Sequence, residues 1–312
     1  MKSLVWSLVS LSFLAGNTLL AAEPAPLKAL LISGGGYHDY KNQKEILTTG
    51  ISKRANVQWT VVIENPKPGD FPKVFAREDW IAGYDVIVHN QCFAKYKDNA
   101  GIEKIVKQHL DAEVGVMMIH CAMHAFRDST TKEWDKLVGV ESRRHGPKFP
   151  IVVRNLGKTH PVTRNLPAGW KTPQGELYHT SILPSATKLG VGFREGQEAK
   201  TLQTCVWVNT YKKCRVFATT LGHHNATMQQ KVYLDLVANG LLWSCGKLDD
   251  KGAPSPGYGK TTQAKPSVRF QVVSKSGQLK TFSTLDALVA SGLVPVSVPC
   301  CGHPETGLPA LR

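Results

Sequence analysis

Imidazole side chains follow four of the predicted buried strands in this sequence, and imidazoles bind metals and carry protons at neutral pH. The four segments are GGGYHD (34–39), VHNQC (88–92), IHCAMH (119–124) and LGHH (221–224). They contribute His38, His89, His120, His124, His223 and His224. If these strands share one sheet, their ends meet at one edge. The pattern therefore favours a site for metal binding or acid–base chemistry over a set of unrelated core histidines.

The elements that must position these residues alternate between strand and helix. Strands are predicted at 27–33, 57–65, 84–90, 114–120, 149–154, 186–193, 204–211 and 215–222, and helices at 41–54, 99–112 and 228–245. The order strand, helix, strand, strand, helix, strand predicts an α/β fold with a mostly parallel sheet. Ligands of such sheets bind outside the carboxyl ends of the strands, which is where the histidine segments lie.

The remaining histidines have ordinary interpretations. A single histidine at a strand end is commonly a hydrogen-bonded structural residue, and we interpret His89 and His179 in this way. His109 lies on a predicted helix and His303 near the C-terminus, so both are expected to face solvent. His160 precedes a proline and is expected to order a loop.

Cys121 is a second possible reactive group at the end of the strand 114–120. A cysteine at a sharp strand-to-helix turn, with a histidine as its base, can act as a nucleophile. Met123 would crowd such a turn, and free cysteine is often simply buried. The residue types therefore favour histidine chemistry and leave cysteine chemistry as the weaker alternative.

The glycine run before His38 permits positive φ and close approach of the backbone to a ligand. It matches neither GxGxxG nor a phosphate-binding GKS/T loop, so we expect no nucleotide cofactor. Glu176 and Glu141 lie within four residues of histidines in sequence, and each could be a base, a metal ligand or a surface residue. Asp39 could orient an imidazole or cap the following helix.

The N-terminal segment and the overall charge bear on location and partners. Residues 1–22 combine Lys2, an apolar stretch and small residues before position 23, which predicts a cleaved secretory signal peptide. The mature protein is then expected in the periplasm or secreted, with no membrane insertion. The 38 basic and 24 acidic residues give a net charge of +14, but the basic residues are dispersed, so no nucleic-acid partner is expected.

The rest of the chain divides into three parts. A main domain is predicted at 23–248, a linker rich in proline, glycine and lysine at 249–266, and a small C-terminal extension at 267–312. The extension contains a predicted hairpin and short helix, and is either a separate module or an arm on the main domain. The oligomeric state is left open.

Seven cysteines in an exported chain leave at least one unpaired. Cys205 and Cys214 flank a predicted hairpin, and a turn at Asn209 and Thr210 would place them opposite each other, where a disulfide is possible. Cys300 and Cys301 are adjacent and could pair elsewhere.

Several blocks of this sequence, in order, resemble the trehalose-utilisation (ThuA-like) family, in particular its exported bacterial members. The blocks are LLISGGGYHDY, YDVIVHN, MMIHCAMHAF, LVGVESRRHGP, THPVTRNLP, GELYH and VWVNTYKKCRVFATTLGHH. The resemblance covers about residues 27 to 247. It implies a flavodoxin-like, three-layer α/β sandwich similar to class I glutamine amidotransferases, and a role in the catabolism of sugars, particularly glucosides oxidised at the 3-position.

The resemblance also implies which residues form the site. Its histidine blocks correspond here to His38, His120, His145 and His223, with Glu176 alongside. Many relatives have alanine in place of Cys121, which weakens a cysteine mechanism. Where relatives have small residues before the RVF strand, this chain has Lys213 and Cys214.

From these residues we expect a hydrolase or lyase that acts on keto-sugars or their glycosides, with a small carbohydrate as substrate. A base removes the proton beside the ketone, an electrophile stabilises the enolate, and the glycosidic oxygen leaves. The predicted catalytic residues are His38, His120, Glu176 and His223, and the predicted substrate-binding residues are Gly35, Gly36, Tyr37, Arg144, His145 and His224. A divalent metal such as zinc, held by His120, His145 and His223, could be the electrophile, and Arg143 or Arg144 could replace it.

Two other classes of function remain open from the sequence. One is a cysteine-dependent amidase-like hydrolase, which would use Cys121. The other is a non-catalytic sugar-binding or accessory module, in which the histidines only hold a ligand.

Overall fold

The computed structural model describes residues 24–260, 268–273, 279–284, 287 and 290–291. The predicted signal peptide, the end of the predicted linker, His303 and the pair Cys300 and Cys301 lie outside the described residues. Among the described residues, no helix combines the length and apolar character needed to cross a bilayer.

Thirteen strands and six α-helices are defined in the described part of the chain. The strands are β1 (Leu27–Gly34), β2 (Val57–Glu64), β3 (Val86–Gln91), β4 (Gly115–Ile119), β5 (Val140–Glu141), β6 (Phe149–Asn155), β7 (Trp170–Gly175), β8 (Ser181–Ile182), β9 (Ala186–Arg194), β10 (Gln203–Tyr211), β11 (Cys214–Thr219), β12 (Val268–Val273) and β13 (Leu279–Phe282). The helices are α1 (Tyr40–Ser52), α2 (Asn99–Ala112), α3 (Glu133–Val138), α4 (Glu198–Thr201), α5 (Asn225–Met228) and α6 (Lys231–Ser244). Lys73–Ala76 and His120–His124 form 3-10 turns.

One mixed sheet organises the molecule, with the strand order β13-β12-β2-β1-β3-β4-β11-β10-β9-β6-β7. The central strands from β12 to β11 run parallel, and the remaining neighbours pair antiparallel. The α/β fold with a parallel central sheet, predicted from the strand and helix order, is confirmed. Because parallel strands are covered on both faces, their sequences are continuous apolar runs, as in the fully buried core of β1.

Two hydrophobic clusters of buried side chains flank the sheet. One contains the apolar residues of α1 and α6, including Leu47 and Leu241, and the other those of α2 and α3, including Ile105 and Leu137. Helix α1 begins at an Asp39 cap, whose carboxylate accepts the Asn42 N–H at 3.3 Å. Of the two roles considered for Asp39, the structure shows helix capping.

The hairpin of β10 and β11 turns at a different place from the one expected. Tyr211 pairs with Cys214, so the turn consists of Lys212 and Lys213, with Lys212 at φ +53°. Cys205 instead lies opposite Thr220, whose N–H donates to the Cys205 carbonyl at 3.0 Å. The Cys205–Cys214 disulfide that a turn at Asn209 and Thr210 would have made possible is therefore not formed: both thiols are free, and they belong to different hydrophobic clusters.

His109 is also placed differently from the expectation of a solvent-facing helix residue, because it is fully buried between α2 and β3. Its Nδ1–H donates to the Ile105 carbonyl at 2.8 Å, so its Nε2 carries a lone pair in the neutral ring. That lone pair accepts the Nε2–H of His89 at 2.9 Å, and His89 Nδ1 accepts from the Gln91 amide at 3.0 Å. The chain of hydrogen bonds is complete only when both rings are neutral, which confirms the structural interpretation of His89.

We predict that this pair makes the protein sensitive to mild acid. Burial lowers the pKa of His109 from 6.5 to about 4, and burial with the neighbouring His109 lowers the pKa of His89 as well. As the pH falls, His109 takes up a proton in the unfolded chain before it does so in the folded protein. The free energy of unfolding is therefore unaffected by this residue above about pH 6.5 and decreases between pH 6.5 and 4. The loss is about 3 kcal/mol in the free energy of unfolding.

Urea unfolding at a series of pH values checks this. His109→Gln removes one of the buried titrating rings and should make the pH dependence between pH 6.5 and 4 shallower, whereas His179→Gln, at an exposed position, should leave it unchanged. An identical slope in the wild type and in His109→Gln would contradict the assignment.

Candidate functional site

Four side chains from four separate loops meet above one edge of the sheet. They are His38 after β1, His120 after β4, Glu176 after β7 and His223 close after β11. One nitrogen or carboxylate oxygen from each lies within 4.8 Å of those of the other three. His120, Glu176 and His223 are buried and His38 is half-buried. These four residues are the ones predicted to be catalytic, and the structure brings them together.

His120 occupies the sharp turn between β4 and the 3-10 turn that follows, with φ at +44°. Its Nδ1–H donates to the Thr220 carbonyl at 2.6 Å, which leaves a lone pair on Nε2 in the neutral ring. Nε2 lies 3.2 Å from the Tyr178 hydroxyl and 3.6 Å from a Glu176 carboxylate oxygen. The backbone immediately after β11 thus fixes the tautomer and turns the electron pair towards the cluster.

Glu176 supplies the only carboxylate of the cluster. One of its oxygens, Oε2, lies 3.1 Å from His223 Nδ1 and 3.5 Å from His145 Nε2. Burial by itself raises the pKa of Glu176, but its contacts with His120 and His223 outweigh burial and hold the pKa well below its ordinary value. A buried carboxylate needs a compensating positive charge. Either a proton on an imidazole or a bound cation supplies that charge.

The other two imidazoles of the cluster carry buried nitrogens that lack hydrogen-bond partners among the described residues. These are His38 Nδ1 and both ring nitrogens of His223. His223 Nδ1 lies 3.1 Å from Glu176 Oε2, but the contact does not meet the angular criteria of a hydrogen bond. Burial and the neighbouring imidazoles lower the pKa of His38, and burial lowers that of His223 to about 4. Neutral rings present lone pairs, as metal ligands do.

Two of the predicted substrate-binding residues, His224 and His145, lie next to residues of this cluster. The ring of His224 lies 4.1 Å from that of His223. His145 is more than one-third exposed, and its Nδ1–H donates to the Gly146 carbonyl at 2.8 Å, so its Nε2 faces Glu176 with a lone pair. Arg144, next to it, is exposed. His145 lies outside the four-residue group, so that group differs from the predicted metal ligands His120, His145 and His223.

Two other polar residues considered from the sequence are engaged elsewhere. Arg143 forms an ion pair with Asp135 at 2.7 Å, which weakens its candidacy as a hydrogen-bond donor to the substrate. Glu141 forms an ion pair with Lys132 at 3.1 Å and is not part of the cluster. Of the two carboxylates considered, the structure places Glu176 in the site.

Sequence reasoning did not identify Tyr178 and gave His124 no role. The rings of Tyr178 and His124 stack in parallel, with centroids 3.9 Å apart. Burial raises the pKa of the Tyr178 hydroxyl and lowers that of His124 to about 2, so both rings are uncharged at neutral pH. The available signal was the two-residue spacing of Glu176 and Tyr178, which places alternate side chains of an extended segment on one side.

Cys121 is in a poor position for a nucleophile. It is buried against Cys92 and Ala94, with Tyr37 packed on the same small cluster. The strained residue of the strand-to-helix turn is His120, one position earlier, and that residue points into the site. Hydrogen bonding to Cys121 and burial raise the pKa of Cys92 well above its ordinary value, so that thiol is not poised as a thiolate.

The glycine run positions the loop that carries Tyr37 and His38. Gly34, Gly35 and Gly36 have φ values of +135°, +98° and +80°. A Cβ atom at Gly35 would lie 2.3 Å from the Cys92 carbonyl oxygen, closer than any side chain tolerates. The Gly35 N–H also donates to Asn65 Oδ1 at 2.9 Å. The glycines are therefore required for a tight packing of this loop on the end of β3.

This arrangement of an α/β sheet with a histidine and carboxylate cluster above its strand ends can be compared with known proteins. The sequence model of the ThuA family, described as trehalose utilisation, matches residues 28–244, and the chain belongs to this family. No curated protein sequence matches it significantly.

Among solved structures, a ThuA-like protein from Parabacteroides merdae is 19% identical, with a TM-score of 0.60, over 75% of this chain and 97% of that one. A ThuA-like protein from Bacteroides uniformis is also 19% identical, with a TM-score of 0.55, over 74% of this chain and 95% of that one. At this level of identity the likeness shows the shared fold. A glutamine amidotransferase from Thermotoga maritima, 12% identical over 62% of this chain and 74% of that one, has a TM-score of 0.38, too low to support an argument.

We predict that Gly35→Ala disrupts the site loop. The substitution combines a positive φ, which costs an L-residue about 1–3 kcal/mol, with the clash against Cys92. Gly69→Ala is the matched control, because Gly69 has a similar φ of +92° and nothing within 4 Å of a Cβ. Urea unfolding should show a larger loss of stability for Gly35→Ala, and equal losses would contradict the proposed tight packing.

Proposed function

We propose that this chain is an exported enzyme of carbohydrate catabolism, a hydrolase or lyase of 3-keto-glycosides that uses a divalent metal such as zinc. The observation that carries the proposal is the group of His38, His120, Glu176 and His223. The family description, trehalose utilisation, supports a carbohydrate role. We infer further that the fold is a flavodoxin-like, three-layer sandwich of the class I glutamine amidotransferase type, which the helices on both flanks of the sheet support.

The donor set fits a divalent transition metal. Neutral imidazole nitrogens and carboxylate oxygens are ordinary zinc ligands, and His120 has the backbone hydrogen bond on its far nitrogen that orients metal-bound histidines. A cation would also compensate the buried Glu176 carboxylate and engage the buried nitrogens of His38 and His223. The ligands we propose are therefore these four residues, in place of the set containing His145.

The bound ion would supply a Lewis acid for the ketone oxygen of the sugar. His145 becomes the proposed base, because His38 and Glu176 serve as ligands. Its Nε2 lone pair faces the cluster from a partly exposed position that a substrate can reach. His145 removes the proton from the carbon beside the ketone. The electron pair of that C–H bond forms the new double bond as the glycosidic oxygen leaves from the next carbon, and His145 returns the proton to this oxygen.

We predict about one divalent ion per purified chain, measured by elemental analysis. Glu176→Gln and His223→Ala should each lower metal affinity by about 100-fold or more, since each removes a ligand. His160→Gln is the control, because His160 lies apart from the cluster and contacts Trp243. Absence of bound or bindable metal in the folded wild type would contradict the metal site.

We predict turnover of 3-keto-glucosides by the mature protein, followed by release of the alcohol or sugar. His145→Ala should lower kcat by about 100- to 10,000-fold, the usual contribution of a positioned base. Cys121→Ala should retain near wild-type activity, and its inactivity with an intact fold would favour the cysteine-dependent alternative. Sugar binding without turnover would instead favour a binding module.

A further inference from the structure

A cleft of about 320 Å³ adjoins the loop that carries His38 of the four-residue cluster. It lies between the loops that follow β1, β2 and β3, and its lining comes from residues 35–37, 65–70 and 92–96. β1 leads to β2 on one side of it, whereas β3, its neighbour on the other side, leads onward to β4, so the connections that leave β1 and β3 run in opposite directions. Open α/β sheets bind ligands at such a reversal point.

The cleft and the cluster share one short segment of backbone. Tyr37 lines the cleft, and the next residue is His38 of the cluster. Consecutive Cα atoms are about 3.8 Å apart, so the wall of the cleft and the first residue of the cluster are joined by a single peptide unit. The glycine run that holds this segment in place also forms part of the cleft wall.

The lining suits a neutral polyhydroxylated ring. The half-buried ring of Tyr37 offers aromatic surface, against which the C–H face of a sugar packs, while the buried rings of Phe93 and Tyr96 add only small exposed areas to the lining. The Asp70 N–H donates to the Lys67 carbonyl at 3.0 Å, but the exposed side chains of both residues have no hydrogen bond or ion pair among the described residues, so they can respectively donate to and accept from hydroxyl groups. The presence of both charge signs in one loop favours a neutral ligand over an anion.

We propose that this cleft binds the leaving sugar of a disaccharide substrate, while the oxidised sugar lies at the cluster. The inference rests on the proposed function and makes it more specific, because it names keto-disaccharides, rather than simple alkyl keto-glycosides, as the preferred substrates. Lys67 and Asp70 recognise the leaving sugar and take no part in the proton transfers.

The test compares a 3-keto-disaccharide with methyl 3-keto-glucoside, which has no second sugar. The double variant Lys67→Ala/Asp70→Ala should raise KM for the disaccharide about tenfold or more, with kcat and the constants for the methyl glycoside unchanged. Lys97→Ala is the control, because Lys97 is exposed nearby but does not line the cleft. Equal effects on both substrates, or none on the disaccharide, would overturn the inference.

A failure of the proposed function can be distinguished from a failure of the cleft. If the wild type turns over neither substrate, calorimetric titration with an unoxidised disaccharide tests the cleft directly. Binding to the wild type that is lost in the double variant and kept in Lys97→Ala supports the cleft. No binding, or binding of inorganic phosphate in preference to the disaccharide, overturns it.

Discussion

A carboxylate held away from water among imidazoles is the constraint on which the arrangement of this protein depends. Glu176 is buried at the point where loops from four strands converge, and a charge in that position is tolerated only if a positive partner accompanies it. The protein directs three neutral or protonatable rings towards it instead of an arginine or lysine. That choice keeps the compensating charge exchangeable, since a proton and a metal ion can both provide it.

The sheet makes this convergence possible, and small backbone features refine it. Parallel strands end at a common edge, so residues far apart in sequence such as His38 and His223 become neighbours with ring centroids 5.0 Å apart. The glycine run presses the first loop onto the end of β3, and the left-handed backbone at His120 turns its ring inwards. Tyr178, stacked on His124, supports His120 from outside the cluster. The positions of the site residues therefore depend on the geometry of the loops that follow the strands of the sheet.

Much of this organisation could be predicted from the sequence, for identifiable reasons. Buried parallel strands have continuous apolar sequences. The ends of these strands could therefore be located from residue types, and so could the histidines that follow them. Contacts that depend on the exact pairing register of two strands could not be predicted from the sequence. Placing the β10–β11 turn wrongly by three residues made a Cys205–Cys214 disulfide look possible, and none is formed. The burial of His109 could have been predicted, because Ile102, Ile105, Val106 and His109 follow one another at helical spacing on the buried face of α2. Its hydrogen-bond partner, His89, lies in another element and could not be predicted from the period of α2. Likewise, sequence spacing could not show that His145, whose Nε2 lies 3.5 Å from Glu176, falls outside the four-residue group that contains His38 and Glu176.

The pairing of β12 with β2 has a consequence for the association of one molecule with another. Val268–Gln271 run alongside Trp59–Val62, and the ring of Phe270 covers the ammonium group of the buried Lys44 at 5.1 Å. Without this segment, β2 would present a row of free amide and carbonyl groups beside an uncovered lysine. Such a border invites strand addition by a neighbouring molecule. Because β12 covers β2, this border of the sheet among the described residues falls on the four-residue strand β13, which offers a neighbouring molecule fewer backbone groups for strand addition.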